Sequence, residues 1–466
     1  MPRKPPPLPT HAATSAFPLS RRALLTLGAA PALGMLLPDL LRAREAGPPA
    51  DKSFGAAKSV IFLFLHGGHP QHETFDPKPQ APAEVRGEFG TVATSVPGVH
   101  FSDRLPAVAK IADRLSIVRS MSHDNTNHVQ ACLPAMTGHK HPPEVRKRGD
   151  FPPTPNDFPH FGAVVDHLRG GAGERSGGDL PSWVRIGPEM TRSNGTVLHG
   201  QSPGFLGRAH SPLPIDQNLT GDDVEIEAVA PQIAVDRIRQ RRGLLQTIDR
   251  QRSDLARRSP RGAFLQKAYD LLTSTSARDA FDLAAEPDAV RRRYPANQVG
   301  QACLLARRLV EAGVPFVNVH WCKTPRGSWD THGNNFKSMK ESLGPTLDES
   351  LSALVLDLEE RGRLDDVLVV VMAEFGRTPK INSNAGRDHW PFVYSLALAG
   401  AGLAPGVVYG ASDALGAWPQ SQPIDPAHMA ATIYHLLGVP ADTTLHDPAN
   451  RPHRLILGRR IAPILA

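Results

Sequence analysis

The feature that most constrains this chain is the alternation of short apolar, β-branched runs with segments of helical period. Residues 59–65, 115–118, 315–320, 367–373 and 392–398 are apolar for most of their length, as strands buried on both faces are. Leu347, Leu351, Leu354 and Leu358 follow at spacings of four, three and four, which puts them on one helix face ahead of the run at 367. Residues 298–312 stand in the same relation to the run at 315, with Gly313 as the stop signal. Strands alternating with helices predict an α/β fold: a mostly parallel sheet flanked by helices, with ligands bound beyond the carboxyl ends of the strands.

Residues 1–46 stand apart from this pattern. Ser20-Arg21-Arg22-Ala23-Leu24-Leu25-Thr26 precedes a weakly apolar stretch broken by Gly28, Pro31 and Gly34, which reads as a twin-arginine export signal. A membrane anchor needs roughly 20 apolar residues without breakers, whereas this run is closed by Pro38 and Asp39. The expected destination is the periplasm or cell envelope, with no integral membrane span in the mature protein. The remainder, 47–466, reads as one domain. Within it, 140–270 is expected to be an insertion or cap: 140–225 is rich in proline and glycine, and 237–269 looks like one or two exposed helices.

The formal charge of +6 is mostly in the signal, where six Lys or Arg face two Asp or Glu. What remains is 46 basic against 44 acidic residues, alternating in sign along putative helices. Nucleic acid requires a clustered basic face, so no such partner is expected. Cys132, Cys303 and Cys322 form no CxxC pair, so a metal here would be held by His, Asp and Glu.

Those residue types gather directly after the apolar runs. The first ends in His66-Gly67-Gly68-His69-Pro70-Gln71-His72-Glu73-Thr74-Phe75-Asp76, and the second is followed by Ser122-His123-Asp124-Asn125-Thr126-Asn127-His128. Trp329-Asp330-Thr331-His332-Gly333-Asn334-Asn335 follows the third; Glu374-Phe375-Gly376-Arg377-Thr378 and then Gly386-Arg387-Asp388-His389-Trp390 follow the fourth. In a parallel sheet these loops converge on one edge, and imidazole and carboxylate together suit divalent cations that clamp an ester. Asp330 with His332, and Asp388 with His389, are the strongest pairs. Gly67-Gly68 reads as a plain turn, and Arg377 either pairs with Glu374 or binds a substrate anion.

These motifs, with Ala373-Glu374-Phe375-Gly376-Arg377-Thr378-Pro379, Val408-Tyr409-Gly410-Ala411-Ser412-Asp413 and Ala431-Thr432-Ile433-Tyr434-His435-Leu436-Leu437-Gly438, resemble the DUF1501 family across the mature chain. That family is similar in fold to the alkaline phosphatase and sulfatase superfamily. The resemblance implies a metal-dependent hydrolase of phosphate or sulfate esters acting on an anionic ester or sulfated glycan. One or two divalent ions (Zn, Ca, Mg or Mn) would be held by Glu73, Asp330, His332, Glu374, Asp388 and His389. Sulfatases place their nucleophile nine positions before the Thr of a Thr-Gly pair. Thr137-Gly138 matches that pair, and the nucleophile position is His128, neither Ser, Thr nor Cys. His128 is therefore a ligand or a nucleophile, with Thr126 offering a hydroxyl nearby, Arg377 a charge, and direct attack by activated water a further route. The superfamily's late Asp-His pair is matched by Glu374-Phe375, so Asp388-His389 is expected to supply the imidazole. Pro134 falls inside the helix expected after His128, where it removes a backbone donor. A non-catalytic envelope protein holding sulfated or phosphorylated glycans is the alternative.

Overall fold

The computed structural model describes residues 51–170, 180–221, 224–230, 233–249, 268–322 and 328–466. The export signal at 1–46 lies outside them, as does much of the helical stretch at 237–269. The strands of the central sheet are β1 (Ser59–Leu65), β2 (Leu115–Met121), β3 (Trp183–Ile186), β4 (Leu213–Ile215), β5 (Phe316–Trp321), β6 (Val367–Met372), β7 (Tyr394–Ala399) and β8 (Val408–Tyr409). They lie in the order β8-β2-β7-β6-β1-β5-β3-β4. β7 is antiparallel to both β2 and β6, and the other pairings are parallel. The expected mostly parallel sheet is thus present.

β1 sits at the centre because it is apolar on both faces. Val60, Phe62 and Phe64 pack with α1 (His128–Thr137), α2 (Phe161–Leu168) and, later in the chain, α5 (Pro426–Leu436). Ile61, Leu63 and Leu65 pack on the other face with α3 (Gln298–Glu311) and α4 (Gly344–Glu360). Every residue of β1 is buried, and each large side chain contributes about 1.5–3 kcal/mol by leaving water. The four leucines of α4 at 347, 351, 354 and 358 all fall in the second core, as their spacing predicts.

Residues 140–225, expected as an insertion or cap, contribute β3 and β4, which extend the main sheet beyond β5. They are only four and three residues long and are set among prolines and glycines, which hid their pattern. Helix α1 starts at His128 with the Asn127 side chain accepting from Gln130 N, and it continues past Pro134 to Thr137. It stops at Gly138, whose φ of +77° is left-handed and whose N–H bonds to Pro134 O. The layer holding α3 and α4 also encloses an ion network: Arg307, with no exposed side-chain surface, contacts Asp357 at 2.9 Å and Glu286 at 2.8 Å.

Candidate metal centre

β1, β5 and β6 all end at one edge, and the antiparallel direction of β7 delivers the segment before it, 386–391, to that same edge. The turn after β1 is more than a turn. Gly67 (φ +111°) and Gly68 (φ +89°) let three loops touch: a Cβ on Gly67 would lie 2.3 Å from Asp330 N, and one on Gly68 2.6 Å from Phe375 O. That closeness brings Gly67 N–H to Glu374 Oε1 at 2.8 Å.

Glu374 is fully buried at the end of β6. His128, the first residue of α1, lies between two carboxylates, with Nδ1 2.5 Å from Glu374 Oε1 and Nε2 3.3 Å from Asp330 Oδ1. Burial alone would strip its proton, but Asp330 and Glu374 outweigh burial and raise its pKa above the ordinary value. For Asp330 the balance is the reverse in sign: partial burial pushes the carboxyl up, and His128, His389 and the Arg377 guanidinium hold it well below the usual carboxylate range.

The strands Gly376–Arg377 and His389–Trp390 form an antiparallel ribbon that sets His389 opposite Arg377, so both project to one side. His389 Nδ1 is 2.7 Å from the Thr126 carbonyl oxygen. A carbonyl only accepts, so the proton is on Nδ1 and Nε2 is bare. Burial keeps this imidazole neutral by lowering its pKa. His332 is arranged alike, with Nδ1 2.7 Å from Asp388 Oδ1. The two Nε2 atoms lie 2.9 Å apart, and each is 3.1 Å from Asp330 Oδ1.

Two imidazole nitrogens and a carboxylate oxygen thus meet in one triangle, a donor set that a divalent cation can ligate. A tetrahedral ion with bonds of about 2.0–2.1 Å sets its ligands roughly 3.3 Å apart, a few tenths of an ångström wider than this triangle. Two imidazoles and a carboxylate suit a zinc-class ion better than calcium or magnesium, which favour oxygen. A second group adjoins it, made of His66, His128 and Glu374, whose ligand atoms lie within 4.8 Å of one another. His66 has both ring nitrogens buried without hydrogen-bond partners, as is Glu374 Oε2. Its pKa is lowered to about 4 chiefly by burial, so it presents a neutral imidazole. His66 was not among the expected ligands; its place at the very end of β1, before two glycines, is the signal that marks it.

The structure brings His128, Asp330, His332, Glu374 and His389 together, and assigns four other expected site residues different work. Glu73 is no ligand: it accepts from Arg387 at 2.6 and 2.9 Å and from Asn335 Nδ2 at 3.1 Å, in a fully enclosed pair. Asp388 stands behind His332 and fixes its tautomer. Arg377 is fully buried, donating to Gly68 O at 3.0 Å, Arg387 O at 3.1 Å, Asp330 Oδ1 at 2.6 Å and Gly67 O. It therefore positions Asp330, with each of its three nitrogens already bonded inside the protein and none exposed to a substrate anion. Thr126 contributes its carbonyl to His389. Phe375 packs 4.5 Å, centroid to centroid, from the ring of His389.

Residues 57–465 match the family model described as "Protein of unknown function (DUF1501)". The chain belongs to the DUF1501 family. Among solved structures, the phosphonate monoester hydrolase of Silicibacter pomeroyi is 12% identical with a TM-score of 0.37, the match covering 87% of this chain and 76% of that one. A Pseudoalteromonas sulfatase, PsFucS1, is 13% identical with a TM-score of 0.36, covering 88% and 72%. The lipoteichoic acid synthase LtaP of Listeria monocytogenes is 10% identical with a TM-score of 0.38, covering 84% and 75%. Similarity of this size carries neither substrate nor mechanism to this DUF1501 protein. A comparison with curated proteins gave no match. Among the described residues, no helix is long and apolar enough to cross a membrane.

Proposed function

We propose that this protein is an exported, metal-dependent hydrolase of phosphate or sulfate esters. The observation that carries the proposal is the triangle of Asp330 Oδ1, His332 Nε2 and His389 Nε2, with sides of 2.9, 3.1 and 3.1 Å. These three residues would hold one ion, and His66 with Glu374 the place of a second. Bound there, a divalent ion supplies Lewis acidity and neutralises the charge of an anionic ester. Thr126 and Asp388 keep the bare nitrogens of His389 and His332 aimed inward, and Arg377 holds Asp330 from behind. His128 stores a proton between Glu374 and Asp330, where it is placed to protonate a leaving oxygen. No serine, threonine or cysteine stands at the start of α1, and Cys132 is buried with its thiol held well above the usual pKa by that burial. Water is therefore the proposed nucleophile. The test is release of phosphate or sulfate from simple aryl esters by metal-loaded protein, lost in His332→Ala with His389→Ala.

The second reading is an envelope protein that binds sulfated or phosphorylated glycans without turnover. What favours it is His128 itself, locked between two carboxylates at the nucleophile position. Binding of such glycans with no ester cleavage by metal-replete protein would establish it over the first.

A further inference from the structure

A separate cluster lies beside the first turn of α1, where His199 N donates to Val129 O at 3.1 Å. The ligand atoms of His141, Asp157 and His199 lie within 4.8 Å of one another, and none of these residues belongs to the centre described above. We propose that they bind a zinc-class divalent cation that fastens the coil between α1 and α2.

The placement of the ring nitrogens carries the argument. His199 Nε2 is 3.0 Å from Phe151 O, which can only accept, so its hydrogen is there and Nδ1 is bare. Nδ1 faces Asp157 Oδ2 at 2.5 Å, closer than the roughly 3.3 Å at which a tetrahedral ion sets two ligands, so the pair would open by under about 1 Å on binding one. His141 decides between a proton and a cation there. Its Nε2 is buried with no hydrogen-bond partner, and its ring stands 4.5 Å from that of His199 and nearly perpendicular to it. A proton shared by Asp157 and His199 would leave that nitrogen stranded at a cost of about 1–3 kcal/mol. A cation satisfies all three donors at once.

The surroundings are those of a built site. Phe151 O orients His199, and Thr154 Oγ1 donates to Asp157 Oδ1 at 2.8 Å, so two of the three ligands have a fixed outer partner. Two imidazoles and one carboxylate again select zinc-class ions, with a fourth position open to water. The site also has a structural task. Between Gly138 and His160 the regular structure is a single helical turn, Pro143–Arg146. A cation joining 141, 157 and 199 would hold that coil against the helix that carries His128.

The experiment is zinc content of the full-length protein by elemental analysis, in wild type, in His141→Gln with His199→Gln, and in His332→Ala with His389→Ala. The first variant is expected to lose one equivalent relative to wild type. The second is expected to keep that equivalent, which separates this site from the proposed catalytic one. Cobalt(II) substitution reads the same site optically: the visible band of a four-coordinate His-rich ion should persist in the second variant and lose this component in the first. Equal zinc in wild type and the first variant would overturn the proposal. Should the double substitution not fold, His141→Gln alone leaves the Asp157–His199 pair intact. It is then expected to weaken zinc retention against a chelator by at least tenfold, and unchanged retention would overturn the proposal equally.

Discussion

At the scale of residues, the centre separates groups that hold an ion from groups that hold those groups. Asp388 belongs to the second kind. Asp388→Asn removes the charge behind His332 Nδ1 and is expected to weaken metal affinity about 10- to 100-fold without changing stoichiometry at saturation, as measured by chelator competition. Glu73 gives the opposite outcome. Its pair with Arg387 is closed to water, so Glu73→Ala leaves a buried unpaired guanidinium and is expected to cost about 3–5 kcal/mol in denaturant unfolding. The folded fraction should bind as much metal as wild type. A carboxylate next to a histidine looks the same in sequence whether it faces an ion or an arginine more than 300 positions away, which is why Glu73 read as a ligand. Asp330, His332 and His389 stood out in the sequence as members of close carboxylate-imidazole pairs, in segments that come after β5 and β6.

At the scale of elements, the long strands were legible because β1 and β6 are continuous apolar runs whose bounds need no tertiary context. β3 and β4 were not, because three or four residues show no period and the pairing of β3 with β5 is non-local. The antiparallel setting of β7 was likewise invisible, yet it carries Asp388 and His389 to the right edge. Helix α1 depends on its exit as well as its entry. Gly138 is left-handed and a Cβ there would lie 2.4 Å from Ala430 Cβ on α5. Gly138→Ala is therefore expected to cost about 2–4 kcal/mol, from backbone strain and overpacking together. The check is the unfolding midpoint, with the shift of His128 seen as slower ester release at unchanged metal content.

At the scale of the whole molecule, two features govern stability. The Arg307 network ties α3 to α4, and Arg307→Ala is expected to destabilise by about 1–3 kcal/mol, because Asp357 and Glu286 each lose one charged partner and keep Arg361. The second feature is buried neutral histidine. Burial lowers His69 to about 4, and burial with Arg185 nearby lowers His320 to about 3. Both titrate near 6.5 when unfolded. Between those values the unfolded chain binds more protons than the folded one, so stability is full above about pH 6.5 and falls as the pH drops towards 3 to 4. Thermal midpoints measured across that range are expected to decline steadily, and a flat profile would contradict the burial of these rings.

The central claim is that a cation sits among Asp330, His332 and His389. Elemental analysis of wild-type protein beside His332→Ala with His389→Ala tests it most directly. The account expects stoichiometric metal in wild type and the loss of at least one equivalent in the variant, with the fold intact by circular dichroism. Equal metal content in the two proteins, or none in wild type purified without chelator, would contradict it.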